Sequence, residues 1–143
     1  MGFPDERYRI AAQQRGLTDM IRFTGKVDYK EAPLLLSAAD FAITPKLSPT
    51  EANGKIFNYM ACGLPVVAFD TVINREILGD TGVYVTYGDA RDLAAKITSL
   101  SNDRPSIQQL SQRVYAKALN DHSWNSRGKE LVNVYNSMLR HNQ

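Results

Sequence analysis

Residues 54–69 read GKIFNYMACGLPVVAF. Gly54 to Ala61 reads as a helix, the Gly63–Leu64 dipeptide stops it, and 65–69 (PVVAF) reads as a strand. A short, wholly apolar run is what a strand covered on both faces carries. Upstream, 40–44 (DFAIT) is a second such run, ended by Pro45 and followed by the polar loop KLSPTEAN. Before it, 28–39 reads as a helix with Asp28 at its cap and Pro33 tolerable only near its start. Residues 20–24 (MIRFT) read as a strand ending at Gly25, and 4–16 as a helix opened by a first-turn proline and closed by Gly16. Downstream come a helix over 71–78, a strand over 83–86, a helix over 89–100 and a helical segment, 104–141, broken near Asn120–Ser123. Strands alternating with helices predict an α/β fold: a Rossmann-like parallel sheet of about four strands with helices on both faces.

The composition excludes several classes. In 143 residues, 17 Lys+Arg against 15 Asp+Glu leave a formal charge of +2. The charges are spread evenly with no basic stripe, so a nucleic-acid partner is not expected. A single cysteine, Cys62, excludes an intrachain disulfide framework and a thiolate zinc cluster, and fits a reducing, cytoplasmic setting. Cys62 sits before a buried strand, which suits a small core residue better than a nucleophile. No apolar run approaches the ~20 residues that cross a bilayer. There is no Asp-x-Asp motif and His122 and His141 have no ligand spacing, so neither a metal nor a cofactor is expected.

In open parallel sheets ligands bind outside the carboxyl ends of the strands. Of the loops there, the one after residue 44 is richest: SPTEANGK, residues 48–55, carries Glu51 and runs into a helix near Asn53–Gly54. Bare N–H groups at a helix start, with Gly54 allowing close approach, can cradle a phosphate or diphosphate, and Glu51 could take hydrogen bonds from sugar hydroxyls. Asn58, a turn beyond Gly54, faces the same side of a regular helix. The plain alternative makes Glu51 a solvated loop acid and Asn53 the helix cap. Lys55 and, more weakly, Lys46 could reach a phosphate; a solvated lysine is the commoner case. Gly54–Lys55 is not a P-loop, since Pro49 stands where its first glycine would and Ile56 where Ser or Thr is needed.

With Asn58–Tyr59–Met60–Ala61–Cys62–Gly63–Leu64–Pro65–Val66–Val67–Ala68, the chain resembles the donor-binding half of family 4 (group 1) retaining glycosyltransferases, which have the GT-B fold. Ile21–Val27 resembles the family's F-x-G strand end, Leu36–Asp40 its L-x-x-A-D approach, Glu76–Gly82 its E-I-x-x-D-x-G run, and Ser123–Trp124 its last helix. The resemblance implies half of a GT-B architecture and a site for a nucleotide-diphosphate sugar of UDP or GDP type. It places Glu51 on the donor sugar hydroxyls as the catalytic-site residue. It implies that the amides neighbouring Gly54, at Asn53 and Lys55, meet the diphosphate, and that Gly25, Lys26 and Val27 lie against the base. Asn58 departs from the family, standing where a second glutamate usually holds the ribose. An amide brings no charge and accepts through one oxygen.

Met1–Gly2–Phe3–Pro4 resembles the tail of the family's second strand, so the resemblance implies a single incomplete domain over 1–143. It would lack the first two β-α units, their basic residues and the acceptor-binding domain. Two sheet arrangements follow: 20–24 beside 40–44 in sequential order, which the pairing habit of neighbours favours, or open edges that pair in a homodimer or with a partner chain supplying the other half. The expected function is donor binding, with weak or no transfer by the isolated chain; the alternative is a non-catalytic remnant or nucleotide-binding subunit that assembles with a partner. Trp124, Leu131, Tyr135 and Met138 form a stripe expected to fold back on the sheet or pack on a partner.

Overall fold

The computed structural model describes residues 5–48 and 51–141. The readings of Met1–Pro4, of Pro49 and Thr50 in the loop, and of Asn142 and Gln143 at the end of the expected 104–143 helical segment lie outside them. The chain divides into two compact units, Met1–Leu34 and Leu35–Gln143.

The first unit opens with α1 (Asp5–Gln14). Gly16, at φ +65°, lets the chain reverse, and a 3-10 turn spans Thr18–Met20. No strand forms over 20–24, contrary to expectation. The amide of Met20 is spent in the turn, on the Leu17 carbonyl at 3.0 Å; Ile21 is extended, and residues 21–24 join no ladder. The helix expected over 28–39 is also shorter. Asp28 caps a turn instead, its Oδ1 taking the Lys30 amide at 3.1 Å and its carbonyl the amides of Glu31 and Ala32. Helix α2 (Ala32–Leu36) then starts one residue ahead of Pro33, where a missing N–H costs nothing.

The second unit carries the sheet. Its strands are β1 (Ala42–Thr44), β2 (Val66–Phe69) and β3 (Gly82–Val85), parallel and in sequential order. Among the described residues the expected parallel sheet of about four strands has three, because residues 20–24 do not join it. Val66 of β2 stands between Ala42 and Gly82, and Ala68 between Thr44 and Tyr84. The helices are α3 (Lys55–Ala61), α4 (Val72–Leu78), α5 (Ala90–Ser101), α6 (Arg104–Asp121) and α7 (Trp124–His141). The α6–α7 break falls where the sequence places it.

Every residue of β2 is buried. Val66 and Ala68 pack on one side against Ile56 and Met60 of α3, Ile77 and Leu78 of α4, and Val114 and Ala118 of α6. Val67 and Phe69 pack on the other against Val85, Leu100 of α5 and Ile107 of α6. Helix α6 thus closes both faces with its two halves. The turn from α3 into β2 is a Schellman motif: Leu64 N–H bonds the Tyr59 carbonyl and Gly63 N–H that of Met60, each at 2.9 Å. It needs Gly63 at φ +69°, where an added Cβ would also lie 3.3 Å from Ser111 Oγ.

Side chains cap the helices that flank the sheet. Thr71 Oγ1 accepts from Asn74 N, Asp89 Oδ1 from the amides of Arg91 and Asp92, and Asp103 Oδ1 from Ser106 N. Asp70, just past β2, binds Arg75 through both oxygens at 2.5 and 2.6 Å, and that guanidinium lies 4.4 Å above the Tyr84 ring. By contrast, the stripe on α7 does not fold back: Leu131, Tyr135 and Met138 are exposed, and Trp124 is 94% exposed.

Two outcomes follow. Met60→Ala, which empties a fully buried position, should cost about 2–5 kcal/mol in denaturant unfolding, whereas Asn58→Ala on the exposed side of α3 should cost much less. Four carboxyls are held below their usual range: Asp70 by the Arg75 hydrogen bonds, Asp92 by the Thr86 amide, Asp103 by Ser106 and Asp121 by Lys117. Lowered folded values mean stability that is fully present above the unfolded carboxyl pKa of about 4 and lost as pH falls through the folded ones. The melting midpoint should therefore hold from neutral pH to about 5 and drop below about 4, with a shallower acid limb in Asp103→Asn.

Candidate functional site

Thr44 is the last residue of β1, and the chain beyond it forms a cleft of about 400 Å³ at the carboxyl end of the strand. Ile43, Thr44, Pro45 and Lys46 form one side; Asn53, Lys55 and Tyr59 form the other. The loop after a parallel strand must turn back over the sheet, and here side chains fix how it does so. Asn53 Nδ2 donates to Thr44 Oγ1, tying the foot of α3 to the strand end. Asn53 therefore does not cap the helix with its side chain. Gly54 holds the N-cap position, with helical backbone and no side-chain bond. From the loop after β3, the Tyr87 hydroxyl donates to the Leu47 carbonyl, and its ring meets Phe69 edge-on at 5.7 Å.

Glu51 lies next to this cleft. Its Oε2 is 3.0 Å from Lys46 Nζ, and the side chain is 72% exposed. The structure thus brings Asn53 and Lys55 into one wall, with Gly54 between them and Glu51 joined through Lys46. Asn58 is exposed on α3 and does not line the cleft. Tyr59, four residues beyond Lys55, lines it instead. Helical spacing counted from Lys55 rather than Gly54 would have found it. Burial pushes the Tyr59 phenol above its ordinary pKa, so at neutral pH it is a neutral hydrogen-bond donor. Thr44 and Tyr59 are the lining hydroxyls that the sequence did not single out. Gly25, Lys26 and Val27 belong to the first unit: Gly25, at φ +67°, and Lys26 are exposed, and Val27 is half-buried.

The chemistry available is specific. Two ammonium groups, a neutral phenol, a hydroxyl and a carboxamide surround a small open cleft, with one carboxylate beside it. Such a set suits an anion carrying hydroxyl groups. A larger cleft, about 510 Å³, lies where the C-terminal end of α4 meets the α6–α7 corner. Its wall includes Phe57, Ile77 and Trp124, so it is more apolar, with Glu76 and Arg127 beside them. There His122 Nε2 bonds the Ile77 carbonyl at 3.0 Å. Cys62 is half-buried, between the turn at Gly63 and α6, rather than fully enclosed in the core.

The chain is 29% identical over 141 residues to a phosphatidyl-myo-inositol mannosyltransferase from Mycobacterium leprae (strain TN), covering 96% of this chain and 37% of that one. It is 27% identical over 118 residues to a 2-deoxystreptamine N-acetyl-D-glucosaminyltransferase from Streptomyces fradiae, covering 81% and 27%. The chain thus spans about a third or less of the length of these relatives. The same fold occurs in sucrose-phosphate synthase from Thermosynechococcus elongatus, with a TM-score of 0.79, 24% identity and coverage of 98% and 37%. It occurs also in HepE (Alr3699) from Anabaena, solved in complex with UDP, with a TM-score of 0.83, 21% identity and coverage of 93% and 36%. No described helix is long and apolar enough to cross a membrane. Residues 1–103, which include the strand, loop and helix that build the cleft, match the Glycosyl transferases group 1 family, and the chain belongs to it.

Proposed function

We propose that this chain is a donor-side binding unit of a retaining glycosyltransferase, and that the cleft beyond β1 takes a nucleotide-diphosphate sugar. The observation that carries this reading is the convergence of Lys46, Lys55, Asn53 and Tyr59 on one cleft at a strand's carboxyl end, with Glu51 beside it. On this reading Lys55 and the amides at the start of α3 meet the diphosphate. Glu51 accepts from sugar hydroxyls, and Tyr59 offers a further hydrogen bond. Membership of a glycosyl transferase family supports the sugar part, and a like-folded protein solved with UDP supports the nucleotide part. Asn58 points outside the cleft wall, and as a neutral amide it gives a ribose diol a weaker hold than a carboxylate would.

Sugar transfer also needs an acceptor held against the anomeric carbon. The chain covers about a third or less of relatives that carry transferase names. The isolated 143 residues are therefore expected to bind donor with little turnover.

Thermal melting with UDP-glucose, GDP-mannose, UDP and GDP checks the reading. Ligand held at about 100 times its dissociation constant should add roughly 2.7 kcal/mol to folded stability, a rise of several degrees. Glu51→Ala should remove most of the sugar-dependent part. No shift with any of the four sinks the donor reading and leaves a unit that assembles without a nucleotide; rapid release of UDP or GDP from the sugars refutes the expectation of low turnover.

A further inference from the structure

Lys46 begins the site loop and turns its ammonium back onto that same loop. Nζ lies 3.0 Å from Glu51 Oε2, 3.5 Å from the Glu51 carbonyl oxygen and 3.4 Å from that of Ala52. A lysine ammonium has three donors and no acceptor, so these three oxygens match its full set. Its side chain is only 33% exposed, although the carboxylate that it meets is mostly in solvent. An exposed ion pair alone contributes little. Here the same ammonium also binds two backbone carbonyls, so it fixes the path of the chain at Glu51 and Ala52 as well as pairing a charge. The other tethers of the loop act elsewhere: Asn53 on Thr44, and Tyr87 on Leu47.

We infer that Lys46 is a positioning residue, which holds the Glu51 carboxylate beside the cleft and cancels its charge. Its consequence for binding rests on the nucleotide-sugar reading. A diphosphate approaching this cleft meets two cations and one anion. With Glu51 paired to Lys46, Lys55 is, among the described residues, the cation left facing the ligand without an ion pair, and the paired carboxylate repels the ligand less. The carboxylate is also placed before the sugar arrives, so less ordering entropy is lost on binding. Lys46 thereby acts through Glu51 and not as a phosphate ligand.

A double-mutant cycle separates these roles. The wild type, Lys46→Met, Lys46→Arg, Glu51→Gln and the Lys46→Met/Glu51→Gln pair would each be titrated with UDP-glucose, GDP-mannose, UDP and GDP. Nitrogen-15 relaxation of the Glu51, Ala52 and Asn53 amides would be recorded in parallel for the wild type and both Lys46 variants. Lys46→Met should weaken the nucleotide sugar by about tenfold. Lys46→Arg should recover most of that, and the loss should nearly vanish in the Glu51→Gln background. A loss of equal size in that background makes Lys46 a direct phosphate ligand and overturns the inference. If the wild type binds none of the four, the donor reading fails by itself and relaxation still decides. Order lost at 51–53 in Lys46→Met and regained in Lys46→Arg supports positioning; unchanged order overturns it.

Discussion

Strand β2 has no solvent face, and that constraint decides where the other elements go. A parallel strand buried on both sides must be apolar throughout, and its neighbours must be reached by crossovers that cover each side. Val66 and Ala68 take α3 and α4; Val67 and Phe69 take α5; α6 passes under both sets. The site inherits its position from this packing. Ile56 and Met60, fully buried against the sheet, seat α3, and with it the feet of Lys55 and Tyr59. The Schellman turn at Gly63 then ties the end of α3 directly to the start of β2. The cleft wall on that side is an extension of the core.

The opposite wall is held differently. Residues 45–48 and 51–53 join no ladder, so side chains do the work that backbone pairing does elsewhere. Asn53 reaches Thr44, Tyr87 reaches Leu47, and Lys46 reaches three oxygens at Glu51 and Ala52. Each tether spends a polar group that a ligand could otherwise use. Among the described residues, what remains for an anion is Lys55 with the start of α3, which no side chain caps, and what remains for hydroxyls is the outer side of Glu51 with Tyr59.

The readable parts of the sequence were those with strong punctuation. Runs such as PVVAF between Gly63–Leu64 and a polar residue left little choice, and the order of strands and helices in the second unit followed from them. Residues 20–24 have strand-forming side chains, but a strand exists only when a neighbour completes its ladder, and nothing local encodes that neighbour. Pro33 told where α2 could begin but not that Asp28 would prefer its own turn. At the site, the loop and its acid were legible because loops at strand ends carry function. Tyr87 was not, lying 40 residues from the carbonyl that it binds. Lys46 was legible as a cation but not as one already engaged, because pairing across a loop depends on its fold and not on its spacing. Asn58 and Tyr59 show how finely a helix discriminates: one residue, or 100° of rotation, separates a wall of the cleft from open solvent.

Helix α7 marks the other extreme. It has apolar side chains at Leu131, Val132, Val134, Tyr135, Met138 and Leu139, all exposed. Its start is secured: Ser123 Oγ accepts from Ser126 N at 3.1 Å, Ser126 Oγ donates to the Asn120 carbonyl, and Arg127 pairs with Glu130 at 2.6 Å. Beyond that corner the helix relies on its own hydrogen bonds, and 18 residues are close to the length at which an isolated helix is marginal in water. The burial that makes β2 rigid is what α7 lacks, so local stability within the second unit falls from the sheet towards its last turns. The cleft belongs to the stable end. Lys55 and Tyr59 stand on a helix anchored by two fully buried residues, and Thr44 on a strand paired with β2, so the groups facing a ligand keep their spacing even when the C-terminal turns open.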